Sequence, residues 1–307
     1  MSEPKPRVVW REVSGIITLD KPIGMSSNTA LQRVRRAYRA HKAGHTGSLD
    51  PLASGHLPIC LGEATKVAGY LLEESKTYEA VVSFGQRTDT GDLEGTVVET
   101  APVPALTDAQ IDETLDAHMG LQWQTPPMYS ALKHQGQPLY RLARQGVEIE
   151  REARQIEILR LKRLWYRHPE LAFEVHCSKG TYVRTLAEDI AKAFSTVGHL
   201  THLRRSGIGS HQGWVAYRLD EIENASLEQL DAWLKPTEAG VAHWPTVRLT
   251  PTEGQALRQG KPQAVALDPS TRYQLWAGPV FLGLGLTDEL GTTLRSLRLM
   301  AGGDLGG

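Results

Sequence analysis

Residues 44–55 read GHTGSLDPLASG, and the interpretation of the chain turns on this stretch. Its three glycines, Gly44, Gly47 and Gly55, let backbone approach a ligand closely. Pro51 fixes the chain just after Asp50 and biases Asp50 itself toward extended geometry. A carboxylate is thereby held in one place inside a glycine-rich loop, which suits work as a nucleophile or a base. Taken alone, Asp50 fits an Asp-Pro turn at least as well, because Asp is a routine turn residue. The flanking sequence has to decide.

Upstream, residues 15–19 (GIITL) predict a buried strand that ends at Asp20-Lys21-Pro22, with Pro22 and Gly24 marking a turn. Ser26 and Ser27 are both candidates to cap a helix. In that helix Ala30, Leu31, Val34, Ala37 and Tyr38 share one face, with Arg33, Arg36 and Arg39 mostly off it. Downstream, 77–86 alternates like a strand and 87–95 (RTDTGDLEG) reads as loop. Residues 107–119 read as a helix with Asp108 in its first turn and Gly120 as a stop. The segment 125–155 is too polar for a core element and carries Tyr129, Lys133, Tyr140, Arg141, Arg144, Arg151 and Arg154. It reads as an excursion able to touch a partner. Residues 156–165 and 171–177 predict a hairpin, 184–194 a helix, and 201–218 a mixed segment. After Pro245, short strands at 246–249, 273–276, 279–286 and 293–299, separated by turn signals, predict a small β-rich domain. The last six residues, GGDLGG, are expected to fray.

Composition narrows the function classes. At 307 residues the chain exceeds a typical single core, and 40% hydrophobic with 22% charged residues describes a folded protein, not a disordered one. Cys60 and Cys177 cannot build a disulfide framework. No apolar run approaches the length of a membrane helix, and the N-terminus has no secretory h-region, so a soluble cytoplasmic protein is expected. Net charge is −1, which excludes a uniformly basic nucleic-acid coat. The charge is unevenly placed, however. Lys21 to Leu49 holds six basic residues and no acidic one, and Lys133 to Arg163 holds eight basic against four acidic. Such runs attract polyanions, although they also occur as solvated faces.

Nucleotide and metal signatures fail. There is no GxxxxGK[ST], and the 283–288 stretch lacks the third glycine of a dinucleotide fingerprint. His199 and His202 have no Cys or His partners to complete a tetrahedron, so neither metal nor cofactor is expected. A second signal is CSKGTYVR at 177–184, where basic residues after a strand could bind phosphate or pair with a carboxylate. Tyr78 and Tyr182 could each stack on a base, or simply pack in a sheet.

Taken together, seven segments in order resemble the TruB family of tRNA pseudouridine synthases. They are LDKPIGMSSN (19–28), GHTGSLDPLASG (44–55), LGEATK (61–66), KTYEAVVSFGQRTDTGDLEG (76–95), PPMYSALKHQGQPLYRLARQG (126–146), CSKGTYVRTLAEDI (177–190) and LRR (203–205). The resemblance implies an α+β pseudouridine synthase fold, with a mixed, largely antiparallel central sheet flanked by helices. It implies a catalytic domain over residues 1–240 with a thumb-like insertion at about 125–155, and a PUA-like RNA-binding domain over 245–307. The family's function implies conversion of uridine 55 in the tRNA T-loop to pseudouridine.

By resemblance, Asp50 is the nucleophile, Tyr78 lies against the target base, and Arg184 pairs with the catalytic carboxylate. Tyr182 lies beside the base, His45 helps hold the T-loop, and Leu203 forms a pocket wall. Lys21 and Asp92 match further recurrent positions on the substrate side. These roles give the isolated features a reason. A base stacked in folded tRNA must be flipped out to be reached, and an aromatic ring can replace the lost stacking. A neighbouring guanidinium favours the ionised carboxylate needed for attack. The expected partner is the tRNA T-arm, bound by a monomer without guide RNA. A guide-RNA-dependent relative and an RNA-folding module are the competing readings. The first lacks a thumb, and the second would not need Asp50.

Overall fold

The computed structural model describes residues 9–302. The expected fraying of GGDLGG therefore falls, apart from Gly302, outside the described residues, as does the stretch Met1–Pro6.

The central feature is a nine-stranded sheet. Eight strands follow in the spatial order Ala216–Arg218, Gly15–Lys21, Ser54–Leu61, Gly198–Ile208, Lys76–Phe84, Glu170–Cys177, Arg154–Arg167 and Gly120–Gln124. The ninth, Ala43–His45, pairs beside Ser54–Leu61. Gly15–Lys21 pairs in parallel with Ala216–Arg218, and Gly198–Ile208 with Ser54–Leu61; the other pairings are antiparallel. The sheet is thus mixed and largely antiparallel, as expected.

Residue type explains the central strands. In Lys76–Phe84, Ala80, Val82 and Phe84 alternate with more exposed neighbours and are buried. They join one large apolar cluster with Phe173 and Val175 from the next strand and with residues of three helices, Ser27–Ala37, Asp108–Ala117 and Val183–Ala193. Val183–Ala193 contributes Leu186, Ala187 and Ile190, one helical stripe facing the sheet. Each fully buried Leu or Ile stabilises the fold by about 1.5–3 kcal/mol. Tyr78 shares the inward parity of Ala80 and Val82, so the apolar row of this strand runs directly up to its ring.

Several expected elements extend further than sequence suggested. The glycine-rich stretch is loop only between Ala43–His45 and Ser54–Leu61, because both ends are absorbed into the sheet. Gly55 owes its identity to the fold, not to a ligand. Its φ is +101°, and a Cβ there would come within 2.2 Å of the Arg205 carbonyl oxygen on the adjoining strand. The mixed segment begins inside one long strand, Gly198–Ile208, and ends in a short strand, Ala216–Arg218. The 125–155 excursion forms a two-residue hairpin, Lys133–His134 with Gln137–Pro138, and a short helix, Leu139–Ala143.

Residues 246–299 form a five-stranded sheet with one helix, Pro251–Arg258. That helix was not expected, although Thr250, Pro251 and Glu253 spell a capping box with proline at its first position. The sheet docks on the body through Leu284 and Met300, which pack with Ile16, Val67 and Leu71. Arg272 adds a polar joint, lying over the rings of both Tyr70 and Trp244.

Candidate active site

The loop carrying Asp50 is pinned from two sides. Ser27 Oγ donates to the Leu49 carbonyl at 3.0 Å and accepts from the Leu49 N–H at 2.7 Å, and Gly24 N–H donates to the Pro51 carbonyl at 2.8 Å. The two serines proposed as caps thus divide the work. Ser26 caps the helix by accepting from Thr29 N–H, while Ser27, almost fully buried, fixes the loop. The Asp50 side chain remains 40% exposed at the edge of a cavity of about 520 Å³.

Arg184 enters from the first turn of Val183–Ala193. Its side chain is 5% exposed and meets three segments. Nη2 lies 2.9 Å from Asp50 Oδ2 and donates to the Tyr129 carbonyl at 2.6 Å, and Nη1 donates to the Thr90 carbonyl at 2.7 Å. Nε lies 3.7 Å from Asp92 Oδ2. Asp92 is itself fixed, because its Oδ1 accepts from Thr90 Oγ1 at 2.6 Å and from Glu94 N–H at 3.0 Å. The guanidinium is therefore a buried cation between two carboxylates, one exposed to the cavity and one enclosed.

Tyr78, Tyr182 and Leu203 line the same cavity. Antiparallel register sets Leu203 opposite Ala80 and Arg205 opposite Tyr78, which puts both beside the Tyr78 ring. Tyr182 is the residue before the helix, and its backbone is clamped by Gln124, which accepts from its N–H at 2.7 Å and donates to its carbonyl at 3.1 Å. Burial holds both phenols above their ordinary values.

Asp50, Tyr78, Tyr182, Arg184 and Leu203 thus converge on one cavity, whereas His45, Lys21 and Asp92 are not among its lining residues. Asp92 stands behind Arg184. Lys21 is buried, donates to the Pro22 and Met25 carbonyls, and is pushed down to about 8 by burial, with Asp50 opposing the shift. His45 is lowered by burial and by Arg205, and its Nδ1 is buried without a hydrogen-bond partner among the described residues.

Arg205 and Lys76 are among the cavity residues not identified as site residues from sequence. Arg205, part of the quoted LRR segment, is 1% exposed. It donates through Nε to the His56 carbonyl at 2.7 Å and through Nη2 to the Gly47 carbonyl at 3.3 Å, beside the Tyr78 phenol. Lys76 is buried beneath the cavity, donates to the Leu72 and Glu74 carbonyls, and is pushed down to about 8 by burial and then by Arg205. The available signal was parity, since Lys76 shares the inward face of the strand with Tyr78. Among the described residues no group of His, Cys, Asp and Glu is arranged to hold a metal ion, and no helix is long and apolar enough to cross a membrane.

With this geometry in place, comparison with known proteins is decisive. Residues 35–183 match the family described as TruB family pseudouridylate synthase (N terminal domain), and residues 184–242 match the tRNA pseudouridylate synthase B C-terminal domain. The chain belongs to the TruB family. A protein of Nitrosococcus oceani named tRNA pseudouridine synthase B is 48% identical over 290 residues, covering 93% of this chain and 94% of the relative. One of the same name from Burkholderia lata is 50% identical over 266 residues, covering 86% and 82%. Among solved structures, a Cbf5-Nop10-Gar1 complex contains a chain similar at a TM-score of 0.71 and 22% identity, covering 93% of this chain and 84% of that one. An H/ACA RNP bound to a substrate RNA gives 0.72 at 20% identity, covering 95% and 86%. These likenesses establish the pseudouridine synthase fold with its small PUA-like β-rich unit. The boundary between the two TruB matches, at 183/184, falls inside the body: the C-terminal match supplies the Gly198–Ile208 strand to the central sheet.

Proposed function

We propose that this chain is a tRNA pseudouridine synthase that isomerises uridine 55 of the T-loop, with Asp50 as nucleophile. The observation that carries the reading is the Asp50 carboxylate 2.9 Å from the buried Arg184 guanidinium, at a cavity walled by Tyr78, Tyr182 and Leu203. At about 520 Å³ the cavity falls within the range of about 300–1,000 Å³ usual for sites that enclose a small ligand.

In the reaction the N1–C1′ glycosidic bond breaks and a C5–C1′ bond forms. The proton on C5 leaves and N1 gains one, so there is no net hydrolysis or redox change. The flipped base enters the cavity, where Tyr78 and Tyr182 offer aromatic surface and Leu203 an apolar wall. Asp50 attacks as the carboxylate. Arg184, fixed by two backbone carbonyls and Asp92, orients that carboxylate and stabilises its charge without needing to reorganise. In this reading His45 helps hold the T-loop, and Lys21, bonded to the Pro22 and Met25 carbonyls, fixes the turn at the substrate side.

In this reading residues 1–240 carry the chemistry, residues 245–307 add RNA contacts, and the 125–155 segment closes on the T-arm. Supporting the last role, Ser130, Ala131 and Leu132 of that segment line the cavity. The chain acts in the cytoplasm as a monomer without guide RNA. The test is tritium release from tRNA bearing 5-tritiated uridine, using purified protein alone. Release by the natural chain and none by Asp50→Asn, with tRNA binding retained, is expected. Release only after addition of guide RNA and partner proteins would refute the stand-alone reading.

A further inference from the structure

Two carboxylates line the cavity, Asp50 and Glu73, against five cations. Asp50 has a chemical task. Glu73, the last residue of the helix Ala68–Glu73, has none, and an acid at the mouth of a cleft for a polyanion works against binding. Its carboxylate is paired with Lys179, from the turn between the strand Glu170–Cys177 and Tyr182.

We propose that Lys179 contacts a backbone phosphate of the substrate RNA at the cavity rim, and that Glu73 occupies Lys179 in the free protein and is exchanged for that phosphate on docking. The proposal rests on the reading of the cleft as an RNA-modifying site.

Three observations support it. First, three of the four other cations differ from Lys179 in their freedom to move; the fourth, Arg154, is exposed but has no acidic partner among the described residues to exchange. Lys76, Arg184 and Arg205 are 6%, 4% and 1% exposed and are committed to backbone carbonyls, so they cannot turn outward. Lys179 is 55% exposed and its partner Glu73 51%. An ion pair so open to water is weak and screened, and a phosphate bearing a full charge can replace it. Second, Lys179 is presented by a braced turn. Ser178 N–H donates to the Glu157 carbonyl at 2.9 Å, Glu157 N–H donates to Ser178 Oγ at 2.9 Å, and Thr181 Oγ1 donates to the Ser178 carbonyl at 3.0 Å. Gly180, at φ +80°, makes the reversal. The ammonium therefore swings on a fixed base, and exchange requires no backbone rearrangement. Third, this turn leads directly into Tyr182 and Arg184, so a phosphate on Lys179 sits next to the nucleotide that enters the cavity.

The pairing also explains why an acid is tolerated there. Without RNA it keeps the rim ammonium from other anions, and a docked backbone outcompetes it. The experiment is equilibrium binding of an unmodified tRNA transcript over a salt series, with the full chain, Glu73→Gln, Lys179→Ala and the double variant. Tritium release under saturating protein is measured in parallel. Lys179→Ala is expected to weaken binding and to reduce the slope of log K against log salt by about 0.7–0.9, the value of one lost phosphate contact. Glu73→Gln is expected to tighten binding by about two- to fivefold, the worth of an exposed ion pair, and to do nothing in the Lys179→Ala background. The single-turnover rate of Glu73→Gln at saturation stays within about twofold, since no reacting atom is touched. An unchanged slope for Lys179→Ala overturns the proposal. So does equal tightening by Glu73→Gln with and without Lys179, which would reveal a general field effect. If the natural chain neither binds nor modifies the transcript, the functional reading falls first and this proposal with it.

Discussion

Replacing Arg184 by Lys separates charge from geometry at the centre of the site. Lysine keeps a cation near Asp50 but concentrates it on one nitrogen, whereas the guanidinium serves Thr90, Tyr129, Asp50 and Asp92 from three nitrogens. An ammonium that reaches one carbonyl leaves the other, or Asp50, without its donor. A hydrogen bond to a charged group contributes about 1.5–3 kcal/mol, so loss of the 2.9 Å contact to Asp50 alone corresponds to about tenfold to 150-fold in rate. An unsatisfied buried carbonyl adds a stability cost of about 1–3 kcal/mol.

Affinity should respond differently. The Arg184 side chain is 5% exposed and turned toward protein, so it offers little to RNA phosphates. The assay is single-turnover tritium release at saturating protein, with filter binding of the same tRNA. The expected result for Arg184→Lys is a rate lowered by about tenfold to 150-fold and a Kd within about threefold of the natural chain. A rate within about threefold would show that position of charge, not the four-way fixation, is what the reaction needs. It would refute the argument from geometry.

Arg205→Lys is expected to lower the rate by at least about tenfold, because a single ammonium cannot reproduce the planar reach of the guanidinium, whose Nε and Nη2 hold the His56 and Gly47 carbonyls beside the Tyr78 phenol; a natural single-turnover rate would contradict this. Lys76 is lowered to about 8 in the folded state from 10.5, so between those values the unfolded chain binds more protons and stability rises with pH. The thermal midpoint of the natural chain should therefore climb relative to Lys76→Met from pH 8 to 10.5, and a constant difference would argue that Lys76 is not desolvated. For tRNA binding, the basic runs Lys21–Leu49 and Lys133–Arg163 leave Arg36, Arg39, Lys42, Lys133, Arg141, Arg144, Arg154 and Lys162 exposed and outside the ion pairs of the described residues. The share of the salt slope that falls when these residues are neutralised together is then at most about −6 to −7, and no change on their neutralisation would show that these faces do not meet RNA.

Sequence made the ends of the elements and the inward parity of the strands readable, because those depend on neighbours in the chain. Gly15–Lys21, Lys76–Phe84 and Val183–Ala193 lie within a few residues of where periodicity sets them. What stayed hidden depends on residues distant in sequence. Asp50 looks like a turn residue until Arg184, 134 positions later, is seen 2.9 Å away. Ser27 looks like a second cap candidate until its hydroxyl is seen bonded twice to Leu49. The strand Ser54–Leu61 is not predicted beyond the loop end at Gly55, because its continuous apolar run lacks alternation, as expected of a strand buried on both faces. The helix Pro251–Arg258, in contrast, is legible from sequence, since its capping box is entirely local.

The charge pattern makes the same point about function. Counting residues in the basic runs treats every cation as available, but the fold assigns many of them internal work. Arg33 is held by Glu223, 190 positions away, and Arg163 by Asp108 and Asp112. Arg35 donates to the Ala40 and His41 carbonyls and lies over the Trp10 ring. Acidic residues outside the basic runs are thus not simply a separate anionic face. Asp108 and Asp112 together engage Arg163, and Glu223 engages Arg33, so two guanidiniums are tied up internally. Net charge near zero and a polyanionic substrate are compatible on this account. What matters is which cations the tertiary pairing leaves unspent, and that set is decided by contacts that sequence spacing does not reveal.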